Sequence, residues 1–317
     1  MGTYRNKLPQ LDNDLFMTDG GLETTLIFRS GIDLPSFAAF DLLKDAAGTA
    51  QLRGYYRRYA AMAKEFGLGL VLESPTWRAS RDWGTKLGYG REGLAAANRR
   101  AVALMQEVRA AFESPRSKMV ISGNVGPRAD GYRPASVMSA AEARTYHAEQ
   151  IDTFADTAAD MVSVFTMNYI EEAIGVVLAA RAASLPVAVS FTLEIDGRLP
   201  SGDSLEQAIR RTDAATHAYP AYYMINCAHP THFGHILRTG APWAERVRGL
   251  RANASKRSHA ELDGSPGLDH GHPGELGCAY RSLRPWLPRL SVVGGCCGTD
   301  DRHVAAICSA LAGHAMR

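Results

Sequence analysis

No stretch of this 317-residue chain is apolar for long enough to cross a bilayer. The most apolar segment, Ile174 to Val189, is broken by Arg181 and Pro186. The N-terminus, Met1-Gly2-Thr3-Tyr4-Arg5-Asn6-Lys7, lacks the apolar run of a signal peptide. Excess charge is also lacking. There are 35 basic and 33 acidic residues, and a net +2 gives no reason to expect nucleic acid or a membrane surface as partner. The basic pairs Arg57-Arg58 and Arg99-Arg100 read as solvated helix faces. Cysteine is scarce and odd in number. Five in a chain of this size argue against a disulfide framework, and no C-x-x-C pair occurs. No linker divides the chain, and no solenoid repeat is present. These absences predict a reduced, cytoplasmic protein of enzyme size.

Short apolar runs ending in polar or glycine-rich segments recur eight times. They are Leu15–Asp19, Leu68–Glu73, Lys118–Asn124, Asp160–Thr166, Pro186–Thr192, Ala221–Cys227, Val247–Asn253 and Leu290–Gly294. Most are near-continuous rather than alternating, as expected for parallel strands covered on both faces. Amphipathic stretches lie between them, clearest over Gln51–Phe66, Gly93–Phe112, Ala140–Thr157, Glu171–Ala183 and Ser204–His217. Thr299–Leu311 ends the series, with Thr299 or Asp300 placed to cap it. The pattern predicts an α/β fold, a single (β/α)8 TIM barrel over 1–317. Residues 1–14 form an N-terminal extension, and Ala254–Gly277 forms a long loop after the seventh strand. Such barrels carry active sites at the C-terminal ends of their strands. Asp19, Glu73, Asn124, Cys227, Asn253 and Cys296-Cys297 fall at those ends.

The sharpest chemical signal is Val293-Gly294-Gly295-Cys296-Cys297-Gly298-Thr299-Asp300. Neighbouring side chains on a strand point to opposite faces, so paired cysteines are poorly explained by packing. Flanking glycines let the backbone bend until both sulfurs converge. Cys227 ends another apolar run, and a third thiolate there would make an open site for a soft metal such as Zn²⁺. Two alternatives stay open: a packed Cys296 with a spare Cys297 thiol, or a strained vicinal disulfide. Cys308 lies at helical spacing with Val304 and Leu311 and reads as core, while Cys278 lacks any glycine-rich context. His229, His232 and His235 follow Cys227 closely. His232 and His235 can share a helix face, which keeps a mixed Cys-His site open beside the plainer reading of a polar helical turn. His270 and His272 read as solvated. Thr18-Asp19-Gly20-Gly21-Leu22-Glu23-Thr24-Thr25 places a carboxylate at a strand end before paired glycines. Asp19 or Glu23 could hold a cationic amine there, or the segment is a turn with a helix cap.

The Gly-Gly-Cys-Cys-Gly-Thr core, Asn226-Cys227 followed by Pro230, and Asp19-Gly20-Gly21 resemble the homocysteine S-methyltransferase family, from about Leu15 onward. Gly123-Asn124-Val125-Gly126-Pro127, Tyr146-His147 with Gln150, and Ser190-Phe191-Thr192 before Asp196-Gly197 resemble further family segments. The resemblance implies a (β/α)8 barrel holding one Zn²⁺ by Cys227, Cys296 and Cys297, which are then also the catalytic residues. An acceptor thiol would take the open position. It implies substrate contacts from Asp19, Gly20, Gly21, Glu23, Thr25, Ser190, Glu194 and Asn226. Three segments depart from the family pattern. Phe165-Thr166 stands where many members carry Glu-Thr, whose glutamate helps hold the substrate, so Glu194 or Glu23 would have to substitute. Pro75-Thr76-Trp77 replaces Asn-Thr-Tyr, and Arg251-Ala252-Asn253 replaces Tyr-Pro-Asn.

The implied reaction moves a methyl group to the zinc-bound thiolate of homocysteine or a similar thiol, giving methionine. The donor would be a small onium compound: S-methylmethionine or S-adenosylmethionine first, betaine second. Trp77, Trp83 and Tyr132 are candidate faces for its cation. The expected partners are a thiol acceptor and a methyl donor, with no nucleic acid and no membrane; a homo-oligomer stays open. The rivals are a zinc-dependent hydrolase with Cys and His ligands, a non-catalytic metal- or thiol-binding barrel, and a Cys296–Cys297 redox pair.

Overall fold

Each predicted apolar run forms a strand, with boundaries displaced by at most two residues. The protein is described by a computed structural model covering residues 2–12, 14–135, 137–238, 240–265 and 267–312. The strands are β1 (Phe16–Met17), β2 (Gly69–Glu73), β3 (Met119–Val125), β4 (Met161–Met167), β5 (Val187–Thr192), β6 (Tyr222–Asn226), β7 (Val247–Ala252) and β8 (Val292–Gly295). They pair in parallel in chain order, and β8 returns to β1 to close the barrel. Burial on both faces explains the continuous apolar sequence, since layers of side chains fill the inside while helices cover the outside.

The helices are α1 (Leu22–Phe28), α2 (Ala46–Phe66), α3 (Arg81–Lys86), α4 (Arg91–Phe112), α5 (Ala140–Ala155), α6 (Ile170–Ala182), α7 (Leu205–Thr216), α8 (Pro230–Leu237), α9 (His259–Asp263), α10 (Pro273–Leu283) and α11 (Asp301–Ala312). Asp300, just before α11, accepts from the Arg302 N–H at 2.9 Å, as the sequence allowed. Cys308 is fully buried in the core, also as expected. One expectation needs correction. Ala254–Gly277 is not a continuous loop, because it contains α9 and the start of α10. Ser258 and Glu261 form a capping box on α9, and Pro273 opens α10 after the His272 cap. These start signals outweigh the local Gly and Asp content.

The N-terminal extension closes the lower end of the barrel. Leu8 packs with Phe16, Val71, Met161 and Tyr222, with Tyr4 and Leu11 beside them. The Arg5 guanidinium donates to the carbonyls of Ala155, Thr157 and Ala159. Buried Asp160 accepts from Tyr4 N at 2.7 Å, Ile121 N at 2.8 Å and Arg109 Nη1 at 2.9 Å. At the upper end, polar residues of α5 brace the loops. Gln150 donates to Thr76 O at 3.0 Å, and Tyr146 hydroxyl accepts from Asp82 N at 3.2 Å. His147 meets Glu172 at 2.9 Å, and Glu172 accepts from Arg128 N at 2.8 Å.

Candidate metal centre

Cys227 follows β6, and Cys296 and Cys297 follow β8, so all three sit at C-terminal strand ends. Their sulfurs lie within 4.8 Å of one another, the one group of three or more His, Cys, Asp or Glu ligand atoms found together among the described residues. Two backbone devices bring them there. Cys227 is held in the left-handed region at φ 54°, rare for a residue with a Cβ, and this turns its side chain out of the strand alternation. Gly294 and Gly295 have no room for a Cβ, which would overlap Thr18 and Thr299 respectively. Cys227 and Cys296 sulfurs touch across β6 and β8, with Cα atoms 5.5 Å apart. The vicinal Cys296–Cys297 pair considered from sequence is not the one that forms.

The donor set suits a soft cation. Zn–S bonds of about 2.3 Å in tetrahedral array put sulfurs roughly 3.8 Å apart, so the touching Cys227 and Cys296 sulfurs would have to separate, as free thiolates, to admit the ion between them and Cys297. Burial pushes the Cys297 thiol above its ordinary pKa. A bound cation would reverse that and hold the thiolates ionised. Asn226 supports the cluster. Its Nδ2 donates to Cys227 Sγ at 3.1 Å and to Thr166 Oγ1 at 2.9 Å, while its Oδ1 accepts from Ser190 Oγ at 2.6 Å and Thr166 N at 3.0 Å. Thr166 is itself at φ 64°, beside an irregularity in the β4–β5 register.

The sulfurs line a cavity of about 440 Å³ at the barrel mouth. Asp19, Gly20, Gly21, Glu23 and Asn226 line it too, so the predicted first-strand loop meets the cysteines. Thr25, Ser190 and Glu194 do not line it among the described residues. Ser190 acts through Asn226, and Glu194 lies 3.3 Å from His259 Nδ1. His259 stacks on Tyr132, ring centroids 3.9 Å apart, and Tyr132 hydroxyl reaches Cys297 Sγ at 3.7 Å. Trp77 and Trp83 lie beneath the protein's own cation, the Arg78 guanidinium, at 3.9 and 3.6 Å from their ring centroids. Of the histidines that offered a mixed site, His232 faces Lys256 O at 2.8 Å and His229 caps α8.

Arg251, which the sequence marked only as a departure from the family pattern, is a buried charge lining the cavity. Near the end of β7, it forms an ion pair with Asp19 at 2.8 Å and donates to Gly20 O and Gly295 O, each at 3.0 Å. Its guanidinium lies 5.0 Å from the Phe165 ring centroid, so two of the departures from the family pattern touch each other. Burial works against the Arg251 charge, but Asp19 and Glu73 more than offset it and its pKa rises. Burial pushes Glu23 and Glu73 up to about 7, and it raises Asp19 against the pull of Arg251 and Tyr55. Position was the available signal, since Arg251 lies near the C-terminal end of β7, on the face where such barrels do chemistry.

Two crystal structures of the homocysteine methyltransferase MmuM from Escherichia coli share this fold. Its oxidized form superposes with a TM-score of 0.74 at 19% identity, covering 93% of this chain and 96% of that one. Its metallated form gives 0.70 at 18% identity, covering 94% and 96%. The family profile described as Homocysteine S-methyltransferase matches residues 16–311. That match spans the barrel from β1 to α11, and the chain belongs to the homocysteine S-methyltransferase family, a family of methyltransferases.

Proposed function

We propose that this protein is a zinc-dependent S-methyltransferase that methylates the thiol of homocysteine or a closely similar acceptor. The observation that carries the reading is the meeting of Cys227, Cys296 and Cys297 in the wall of a cavity of about 440 Å³. Zn²⁺ held by these thiolates supplies one thing: it keeps an acceptor thiol ionised at neutral pH. A free thiol of pKa about 8.5 is only a few per cent ionised there, so this gain is roughly 2 kcal/mol. Enzymes lower barriers by at least about 8 kcal/mol, so most of the effect falls to positioning. Asn226 and Thr166 fix the Cys227 sulfur, and the Gly294-Gly295 turn fixes the other two. Tyr132 stacked on His259 roofs that side of the cavity and limits water. The donor is a small onium compound, S-methylmethionine or S-adenosylmethionine before betaine, whose leaving group departs neutral. The hydrolase alternative loses support because, among the described residues, no histidine joins the ligand group formed by Cys227, Cys296 and Cys297.

Zinc-loaded protein incubated with homocysteine and each donor in turn is expected to give methionine, read by product mass. Cys297→Ser is expected to lose its zinc, from about one per chain, together with turnover. Unchanged zinc stoichiometry in that variant would count against the site.

A further inference from the structure

Arg251 is more than 90% buried, yet it is not fully used. Its Nε and Nη2 are pinned by Gly295 O, Gly20 O and Asp19, which fixes the plane of the guanidinium. Nη1 has no hydrogen-bond partner among the described residues, although Arg251 lines the cavity. A buried cationic N–H left without an acceptor is costly unless a ligand supplies one. The residue is also adjacent to the sulfur cluster through the chain. Its carbonyl accepts from Cys227 N at 3.0 Å, and its Nε grips the residue before Cys296. A thiol bound at the cysteines therefore shares one cavity with this guanidinium.

For an amine the cavity provides neutral or part-time acceptors, since Asn124 Oδ1, Asn253 Oδ1 and Glu73 Oε2 lack partners among the described residues. Asp19 is taken by Arg251 and by the Tyr55 hydroxyl at 3.0 Å. Glu23 and Glu73 sit at about 7, so neither is a full-time counter-ion at neutral pH. Phe165 presents an apolar ring beneath Arg251.

We infer that Arg251 sets acceptor specificity: the preferred acceptor is a thiol with a carboxylate a few bonds from sulfur, bound through Nη1, and its amine contributes less than its carboxylate. This rests on the thiol-methylation reading above and deepens it.

The test uses the zinc-loaded protein and three acceptors. Homocysteine carries both groups, 4-mercaptobutyrate lacks the amine, and 3-mercaptopropylamine lacks the carboxylate. The expected kcat/KM for 4-mercaptobutyrate lies within about tenfold of that for homocysteine, with 3-mercaptopropylamine down on the order of a hundredfold. Arg251→Met is expected to raise KM for both carboxylates by a larger factor than for the amine-only thiol, with Arg251→Lys intermediate. Because Arg251→Met also removes a clasp on the first-strand loop, calorimetry on the wild-type protein provides an independent arm. Methionine and 4-(methylthio)butyrate should bind alike, and 3-(methylthio)propylamine at least about tenfold more weakly. If no acceptor is methylated but this binding order holds, the transfer reading fails and the role of Arg251 stands. If 3-mercaptopropylamine is methylated as well as homocysteine, or the amine-only thioether binds as tightly as methionine, the role of Arg251 is overturned.

Discussion

Glu73 shows how single residues in the mouth shape stability. Its Oε1 accepts from Ser163 at 2.9 Å, the rest of the carboxyl is buried, and burial pushes the group up to about 7. The folded protein therefore holds a proton between about pH 4.5 and 7 that the unfolded chain releases. Stability falls as pH rises through that window, and the loss is complete above it, about 3 kcal/mol from this group. Glu73→Gln is expected to be near neutral at pH 4.5 and stabilising at pH 8, which urea titrations at the two values would check. An equal effect at both pH values would contradict it. Glu73 and the three cysteines were visible in the sequence because each ends an apolar run. The role of Arg251 was harder to see, because it lies one residue inside the end of β7. Nothing in a linear pattern says that an arginine inside a strand will turn inward and find Asp19, 232 positions upstream. The left-handed turns at Cys227 and Thr166 were equally hidden, since neither residue type favours that region.

Between strands and helices, the element that matters most is the turn after β8. An alanine Cβ at position 294 would overlap Thr18 Oγ1 and come within 2.9 Å of Asp19 O. Backbone cannot yield as a flexible side chain does, so Gly294→Ala is expected to cost about 1–3 kcal/mol in urea unfolding. It should also lower zinc stoichiometry by displacing Cys296 and Cys297. A full complement of zinc at wild-type stability would show that the turn tolerates bulk. The strands were legible because burial on both faces forces continuous apolar runs. The segment after β7 was harder to read. Gly, Asp and Pro suggested open loop, whereas the Ser258–Glu261 box and Pro273 start helices there. Its contact with the β3–α5 loop, through His259 and Tyr132, depends on three-dimensional approach that no local spacing encodes.

The molecule as a whole is a barrel with unlike ends. Its circular strand order follows from eight strand-then-helix repeats, since each crossover sets the next strand beside the last. Repetition made the architecture readable from sequence, while the use of the first residues as a plug was not, because residues 2–11 carry no periodic pattern. Deleting them would strip Leu8 from Phe16 and Tyr222 and remove the Arg5 and Tyr4 bonds. The expected loss is at least about 3 kcal/mol in chemical denaturation, with zinc content unchanged because the cysteines lie at the far end. Loss of zinc at full stability would reverse that assignment. The plug also constrains traffic. With the floor stopped by Leu8 and Tyr4 and the cavity at the mouth, both guests of the proposed reaction would use one doorway. Under the proposed reading, a thiol at the cysteines would be expected to enter before its donor and to leave, methylated, after it. First in is then last out.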